Sequence, residues 1–287
     1  MKIILAEHYG LCFGVRDAIA EAEELAQRAP LTILGELVHN PVVRERLAGH
    51  GVRESALDDF ASATPQVMIT AHGASDRKRA EWHAAGFAVA DGTCPLVKHA
   101  HRQLGALVAL GFFPVVIGRP GHVEVEGLTG DFPEACVIEN EADISRLPQR
   151  ERYGVISQTT QPLEKALALV DAIRRGRPGS EVRFADTVCQ PTKNRQHALR
   201  KLIGECDTLV VVGGRNSNNT LQLAAAALSA GLRIFHIERP GELEPGWFDE
   251  THIAGITAGT STLKETVSAV HARLEEIAAM QHTAAAV

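Results

Sequence analysis

Short apolar segments rich in β-branched residues alternate along the chain with longer amphipathic segments. This alternation predicts βαβ units, and therefore an α/β protein with small, mainly parallel sheets. The predicted strands are 3–6, 31–34, 66–70, 88–90, 114–117, 153–156, 182–185, 208–212, 234–237 and 253–257. The predicted helices are 16–28, 96–110, 163–174, 194–203, 221–229 and 263–277.

Three of the five cysteines lie in one repeated context, directly after a predicted strand and just before a predicted helix. The stretches are IILAEHYGLCFGVRDAIAEA, FAVADGTCPLVKHAHRQLGAL and VRFADTVCQPTKNRQHALRKL, which contain Cys12, Cys94 and Cys189. The intervals between these cysteines have the length of a small domain. The repetition therefore predicts that one structural unit occurs three times.

Two further strand-and-loop patterns also occur three times. One is found in LTILGELVHNPVVRERL, PVVIGRPGHVEVEGL and LVVVGGRNSNNTLQL. The other is a strand that ends in small polar residues before a helix, in VMITAHGASDRKRAEW, YGVISQTTQPLEKALAL and AGITAGTSTLKETVSAV. The nine segments predict three similar α/β domains in pseudo-threefold order, at 13–94, 95–189 and 190–280 with 1–12, and a frayed tail at 281–287. Because ligands of open α/β sheets bind beyond the carboxyl ends of the strands, we expect the nine loops to converge on one central site.

Composition narrows the classes of protein that the chain can represent. It has 287 residues, of which 45% are hydrophobic and 22% charged, and its formal charge is -6. This charge argues against a nucleic-acid partner. The apolar runs are too short for a signal peptide or a membrane-spanning helix, so a cytoplasmic protein without a membrane partner is expected. An odd number of cysteines without a CxxC pair argues against a disulfide framework.

The three repeated cysteines are candidate metal ligands. A helix N-terminus carries partial positive charge and free N–H groups, which favour a thiolate. Three thiolates suit zinc with an open fourth position, or a cubane iron-sulfur cluster in which one iron lacks a protein ligand. The residues alone leave both metals open. Cys136 and Cys206 lack the repeated context and are predicted to be core or near-core thiols.

The loops that follow the predicted strands carry neutral hydrogen-bonding groups, which suit an anion held by many modest donors. These residues are His39, Asn40, His72, His122, Thr159, Thr160, Asn216, Ser217, Asn218, Asn219 and Ser261. No GxxxxGK[ST] or GxGxxG motif occurs, so a nucleotide is not implied. Glu124 is the carboxylate in this set, and a nearby anion would raise its proton affinity to the level that a general acid needs.

Together these motifs resemble the 4-hydroxy-3-methylbut-2-enyl diphosphate reductases over nearly the whole chain. The resemblance rests on GLCFGV, ELVHN, TAHGAS, DGTCPLV, PGHVEVEG, SQTT, the cysteine and NRQ of DTVCQPTKNRQ, NSNN and TAGTS. It implies a trefoil of three α/β domains around a [4Fe-4S] cluster held by Cys12, Cys94 and Cys189, with one iron open for the substrate hydroxyl. Two-electron reduction would remove that hydroxyl as water and give isopentenyl and dimethylallyl diphosphate, with ferredoxin or flavodoxin as electron donor.

The resemblance also implies roles for the loop residues. The implied diphosphate ligands are His39, His72, His122, Ser217, Asn219 and Ser261, supported by Asn40 and Thr160, while Glu124 would donate a proton with help from Thr159. Five residues depart from the usual family motifs: Phe13, Val123, Pro191, Asn218 and Leu263. Asn218 replaces a serine of the diphosphate loop. These departures leave open a paralogue that acts on another allylic phosphate, and a non-catalytic iron-sulfur sensor on the same frame is a further alternative.

Overall fold

The computed structural model describes residues 1–61 and 63–285 of the chain. Within these residues, twelve strands form three four-stranded sheets, and every strand pair is parallel. Crossover connections, most of them helical, join the strands, as parallel pairing requires. The predicted α/β class with small parallel sheets is confirmed.

The strands are short. In chain order they are β1 (Lys2–Leu5), β2 (Leu31–Leu34), β3 (Arg53–Ser55), β4 (Gln66–Ile69), β5 (Ala88–Asp91), β6 (Phe113–Ile117), β7 (Cys136–Ile138), β8 (Arg152–Ser157), β9 (Glu181–Phe184), β10 (Thr208–Val212), β11 (Arg233–Ile237) and β12 (Ile253–Ala258). The α-helices of the described residues are α1 (Phe13–Arg28), α2 (Pro41–Gly49), α3 (Asp76–Ala84), α4 (Pro95–Ala109), α5 (Val123–Thr129), α6 (Leu163–Gly176), α7 (Gln190–Ile203), α8 (Asn218–Ser229) and α9 (Lys264–Ala285).

The three sheets have the same strand order. Starting from the strand that leads to a repeated cysteine, the orders are β1-β12-β10-β11, β5-β4-β2-β3 and β9-β8-β6-β7. The second strand of each sheet leads to the TAGTS, TAHGAS or SQTT loop, and the third leads to the NSNN, ELVHN or PGHVEVEG loop. The N-terminal strand β1 pairs with β12 near the other end of the chain. Equivalent loops therefore leave equivalent positions in every sheet.

Both faces of the central strands are covered by helices. In β6 all five residues are buried. Val115 and Ile117 pack with residues of α6 on one face, and Val116 packs with residues of α4 and α5 on the other. Burial on both faces explains why such strands read as continuous apolar runs rather than alternating ones.

Some elements were not expected from the sequence. The edge strands β3 and β7 have three residues each and include partly or fully exposed positions, so they lack a continuous apolar run. A helix was expected after TAHGAS without bounds, and it is α3, which buries Trp82 but has an otherwise mostly charged sequence. The short helices α2 and α5 were also missed. Their stability depends on caps and tertiary packing rather than on a long apolar stripe.

Several predicted helix ends need correction. Helices α1, α7 and α8 begin at Phe13, Gln190 and Asn218, each three or four residues earlier than expected, because their first turns are built from loop residues. Helix α9 ends at Ala285 rather than at 277. The predicted frayed tail, 281–287, therefore begins inside α9, and residues 286 and 287 lie outside the described residues.

The chain divides into two compact units. Unit 1 comprises Met1–Phe13, Val38–Glu45 and Gln190–Val287, and it contains the sheet of β1, β12, β10 and β11. Unit 2 comprises Gly14–Leu37 and Arg46–Cys189, and it contains the other two sheets. The finer division into three domains stays a prediction. Over the described residues, no helix has both the length and the apolar character needed to cross a bilayer.

Candidate active site

The three repeated cysteines have the same backbone environment in their respective sheets. Each N–H donates to a carbonyl two residues beyond the end of the adjacent strand, and the next residue begins a helix. The donor–acceptor pairs are Cys12 to Thr260 at 3.0 Å, Cys94 to Ala71 at 3.0 Å and Cys189 to Thr159 at 2.9 Å. The sequence thus places each thiol between the carboxyl edge of a sheet and a helix N-terminus.

This environment fits a thiolate ligand. The three side chains are partly exposed, and none of the five cysteines forms a disulfide. Helix N-termini favour the negative charge that a metal-bound thiolate carries. Across the residues that the structure describes, no three His, Cys, Asp or Glu side chains are grouped to hold a single metal ion. A cubane cluster does not need such a group, because each thiolate binds a different iron.

In unit 2, Glu124 lies at the start of helix α5 and is held by two loops. His122 caps this helix, and its Nδ1 accepts the N–H of Glu124 at 3.1 Å. The Glu124 side chain is only 2% exposed, and its Oε1 accepts the N–H of Thr159 at 2.6 Å. One carboxyl group therefore connects the PGHVEVEG loop to the SQTT loop.

Burial determines the acidity of Glu124. Removal from water raises the pKa of this carboxyl group to about 7, and hydrogen bonds from the backbone and side chain of Thr159 limit the rise. Within the protein itself the cause is desolvation, and the further rise expected from a bound anion stays a prediction. A carboxyl group that is partly protonated at neutral pH can act as a general acid.

The raised pKa of Glu124 predicts that unfolding free energy falls as pH rises. Unfolding returns this carboxyl group to an ordinary pKa near 4.5, so between pH 4.5 and about 7 the folded state binds more protons than the unfolded state. The loss should total roughly 3 kcal/mol and level off above pH 7. Urea denaturation of the metal-free protein across this range, compared with Glu124→Gln, tests it. Identical pH profiles for the two proteins would contradict the prediction.

Other candidate residues of unit 2 lie close to Glu124 in the same loops. The His72 ring lies edge-on to the His122 ring, with centroids 5.6 Å apart. His72 directly follows Ala71, the carbonyl acceptor for Cys94, and Thr159 supplies the carbonyl acceptor for Cys189. Thr160 follows it and is partly exposed. Hydrogen bonds and a ring contact within unit 2 thus join the loops that carry Cys94, Cys189, the two histidines, Glu124 and the two threonines.

In unit 1, Asn40 connects the ELVHN loop to the TAGTS loop. Its Oδ1 accepts the N–H of Val42 at 2.9 Å at the start of α2, and its Nδ2 donates to the carbonyl of Ser261 at 2.6 Å. The Ser261 hydroxyl in turn donates to the carbonyl of His39 at 3.4 Å. These contacts place His39, Asn40 and Ser261 side by side.

The NSNN loop of unit 1 also faces the TAGTS loop. The Oδ1 of Asn219 accepts the N–H of Thr260 at 3.1 Å, and the buried Nδ2 has no hydrogen-bond partner within the described chain. Ser217 caps α8 by accepting the N–H of Thr220 at 3.5 Å. Asn218 begins α8 and is 3% exposed. A buried amide group without a partner is the kind of donor that an anionic ligand would satisfy.

Close packing around glycines was missed from the sequence. A β-carbon at Gly214 would overlap with the His39 carbonyl oxygen, so only glycine allows these two loops to approach each other. Gly213 has φ +147, and a β-carbon there would lie 2.7 Å from Thr220 Oγ1. The signal was the GG pair directly after the buried strand β10. Thr262, whose hydroxyl donates to the Val212 carbonyl at 3.0 Å, was missed as well.

The fold and these loops define an α/β protein with three parallel sheets that each lead to a cysteine, loops rich in neutral hydrogen-bonding groups, and a buried acid. The chain belongs to the LytB protein family, whose sequence model matches residues 3–275.

Relatives and solved structures agree with this assignment. The chain is 36% identical to the 4-hydroxy-3-methylbut-2-enyl diphosphate reductase of Aquifex aeolicus over 284 residues, which cover 96% of this chain and 97% of the relative. It is 37% identical to the protein of the same name from Geotalea daltonii, covering 97% of this chain and 98% of the relative.

Two solved structures extend the comparison to the fold. The reductase from Plasmodium falciparum superimposes with a TM-score of 0.87 at 25% identity, covering 93% of this chain and 86% of that one. A structure described as (E)-4-hydroxy-3-methyl-but-2-enyl diphosphate reductase, the terminal enzyme of the non-mevalonate pathway, gives a TM-score of 0.68 at 35% identity, covering 96% and 100%.

Proposed function

We propose that this chain is an iron-sulfur reductase that converts 4-hydroxy-3-methylbut-2-enyl diphosphate into isopentenyl and dimethylallyl diphosphate. In this reaction the allylic C–O bond breaks, two electrons and two protons are consumed, and the hydroxyl leaves as water. The observation that carries the proposal is the identical placement of Cys12, Cys94 and Cys189, each at a helix N-terminus beside a sheet edge. The names of the relatives support the choice of substrate.

The three cysteines would hold a [4Fe-4S] cluster with one iron open. Thiolates at helix N-termini have the donor chemistry that such a cluster needs. When bound, the cluster would supply electrons and an open iron for the substrate hydroxyl. The proteins that supply electrons to it would be ferredoxin or flavodoxin, and the cytoplasm stays the expected location. The proposal also includes three domains, at 13–94, 95–189 and 190–280 with 1–12.

The neutral loop residues would bind the diphosphate. We assign this role to His39, His72, His122, Ser217, Asn219 and Ser261, with support from Asn40, Thr160 and Asn218. Imidazole, hydroxyl and amide groups hold an anion through hydrogen bonds from several directions. Contacts within unit 1 support this assignment, because they fix His39, Ser261 and Asn219 in their loops and leave the Asn219 Nδ2 donor unsatisfied.

Glu124 would donate a proton towards the departing hydroxyl. Its Oε1 already accepts the N–H of Thr159. The proton is therefore best placed on Oε2, because a protonated Oε1 would be the weaker acceptor for that N–H. Since the pKa of Glu124 is about 7, the protonated form is well populated at neutral pH. Thr159 would orient the acid, and burial would keep bulk water away from it.

Turnover tests the proposed function directly. Anaerobically reconstituted protein would be given reduced viologen and 4-hydroxy-3-methylbut-2-enyl diphosphate once cluster absorbance has been verified. Formation of both isoprenoid diphosphates would support the proposal. A loaded cluster without turnover would contradict the choice of substrate, and competition by other allylic phosphates would then test the paralogue alternative that Asn218 favours. The burial of Glu124 argues against a sensor, which needs no proton donor.

Replacing Gly14 with alanine should weaken cluster binding without unfolding the protein. A β-carbon at Gly14 would overlap with Cys94 Sγ, which must then rotate away. Alanine itself favours the helix by about 1 kcal/mol. We expect a loss of about 10- to 100-fold in iron affinity, as for other residues that orient metal ligands.

Iron titration of the apoprotein, together with thermal unfolding, checks the Gly14→Ala prediction. Gly105→Ala in α4 is the matched control, because its β-carbon would make only an ordinary contact, 3.8 Å from Phe132. Equal iron affinity in the two variants would refute the steric argument.

A further inference from the structure

Two aspartates stand at the same position relative to the cysteines of unit 2. Asp91 precedes Cys94 by three residues, and Asp186 precedes Cys189 by three. The Oδ1 of Asp91 accepts the N–H of Thr93 at 3.1 Å, and the Oδ1 of Asp186 accepts the N–H of Val188 at 3.1 Å. Each carboxylate therefore closes a turn on the residue directly before the cysteine.

Asp91 connects this turn to the helix on the other side of the cysteine. Its Oδ1 also accepts the hydroxyl of Thr93, and its Oδ2 lies 2.8 Å from Lys98 Nζ, one turn into α4. Arg79 donates to the Thr93 hydroxyl at 3.2 Å and lies 3.6 Å from Asp91 Oδ2. Cys94 thus lies in the chain between a turn and a helix, and both contact the Asp91 carboxylate.

This carboxylate is charged at neutral pH. Burial by itself would raise the pKa of Asp91, but hydrogen bonds from Lys98 and Thr93 and the charge of Arg79 lower it below the ordinary value. The ion pairs with Lys98 and Arg79 are therefore present under ordinary conditions.

The second turn is fixed by a different set of neighbours. Thr187 lies between Asp186 and Val188, and its buried hydroxyl accepts the N–H of Ser157 at 2.9 Å. A lysine again stands four residues after the cysteine, at position 193. The first repeat differs, because Tyr9 occupies the place of the aspartate before Cys12. An aspartate therefore stands three residues before each cysteine of unit 2, but not before Cys12.

Turns of this kind occur at many helix starts with no role beyond local structure. Here the residue after each turn is a proposed ligand. The N–H groups of the two cysteines donate to the carbonyls of Ala71 and Thr159, and each aspartate holds the N–H of the residue directly before the cysteine. Second-layer groups of this kind orient metal ligands in other proteins.

We propose that Asp91 and Asp186 are positioning residues that fix the thiols of Cys94 and Cys189 before any metal is bound. The meaning of this role for the cluster rests on the proposed function, whereas the positioning itself is a property of the apoprotein.

Alkylation of the full-length apoprotein tests the proposal. Pulses of iodoacetamide under anaerobic reducing conditions, followed by mass spectrometry, give a rate for each cysteine. Asp91→Ala should raise the rate at Cys94 by about fivefold to tenfold, the effect of losing one or two hydrogen bonds, and leave Cys189 unchanged. Asp186→Ala should accelerate Cys189 by about fivefold and leave Cys94 unchanged.

Two further variants separate positioning from simpler effects. Asp91→Asn removes the negative charge but retains an oxygen acceptor for Thr93, so its Cys94 rate should stay near that of the unmodified chain. A rate equal to that of Asp91→Ala would show that the hydrogen bond to the Thr93 N–H does not position the thiol and would overturn the proposal. Asp76→Asn is the matched control, because Asp76 also pairs with Arg79, at 3.5 Å, but makes no contact with Thr93 among the described hydrogen bonds.

The other outcomes are equally decisive. Unchanged rates at both cysteines, or a parallel increase at all five cysteines that reports general unfolding, would overturn the proposal. Iron uptake by the unmodified chain is measured separately. If the chain takes up no iron while the crossed pattern of alkylation is observed, the cluster proposal fails and the positioning role stands.

Discussion

Glu124→Gln is expected to lower kcat by about a thousandfold, within the range for loss of a general acid. Glutamine has nearly the same shape, and its amide oxygen can still accept the N–H of Thr159, so the loop contact survives. The amide cannot release a proton at neutral pH. The loss should therefore fall on kcat, with little change in KM for the diphosphate.

Steady-state kinetics of iron-loaded protein measure this effect. Glu126→Gln is the matched control, since Glu126 is an exposed carboxylate in the same short helix. Turnover of Glu124→Gln within about tenfold of the unmodified enzyme would contradict the assignment of Glu124 as the general acid. The pH profile adds a second check, because kcat of the unmodified enzyme should fall as pH rises through about 7, the pKa of Glu124, and this limb should vanish in the variant.

Replacing Cys12, Cys94 or Cys189 with serine is expected to abolish cluster binding. A serine hydroxyl is a far weaker and less acidic ligand than a thiol, and each cysteine would hold a different iron. Iron content of reconstituted protein should fall from about four per chain to well below one, with loss of the visible absorbance and of turnover.

The other two cysteines provide internal controls. Burial raises the pKa of Cys206 to about 11 and also raises the pKa of Cys136, so neither thiol readily forms the thiolate that binds iron. Cys136→Ser and Cys206→Ser should retain full iron content. Loss of iron only in Cys136→Ser and Cys206→Ser would show that the wrong cysteines had been assigned as ligands.

Much of the fold could be predicted because its signals are local. Buried strands such as β6 and β10 appear as continuous apolar runs, and the three cysteine contexts are visible as repeats. The edge strands β3 and β7 could not be predicted, because their pairing depends on a neighbouring strand and not on their own pattern. The repeated pattern predicted a helix after TAHGAS, but the bounds of α3 could not be predicted, since its one buried side chain, Trp82, packs into a core formed by distant residues.

For the candidate site as well, some features were visible in the sequence and others only in the structure. The sequence identified Glu124 as a candidate acid from its place in a loop beside His122, and the cysteines from their repeated position. The structure added contacts between residues far apart in the chain, such as Asn40 to Ser261, 221 residues away. It also revealed that Gly14 and Gly214 leave the space into which Cys94 Sγ and the His39 carbonyl fit.

The sequence by itself determined the α/β class, the repeated cysteines and the family, because hydrophobic periodicity and motif spacing are properties of neighbouring residues. Only the tertiary structure decided that the pKa of Glu124 is raised by burial, that Thr159 holds its carboxylate, and that Asp91 is tied to Lys98 across Cys94. The reason is physical. Desolvation and hydrogen-bond partners depend on which groups surround a side chain after folding, and these groups come from separate parts of the chain.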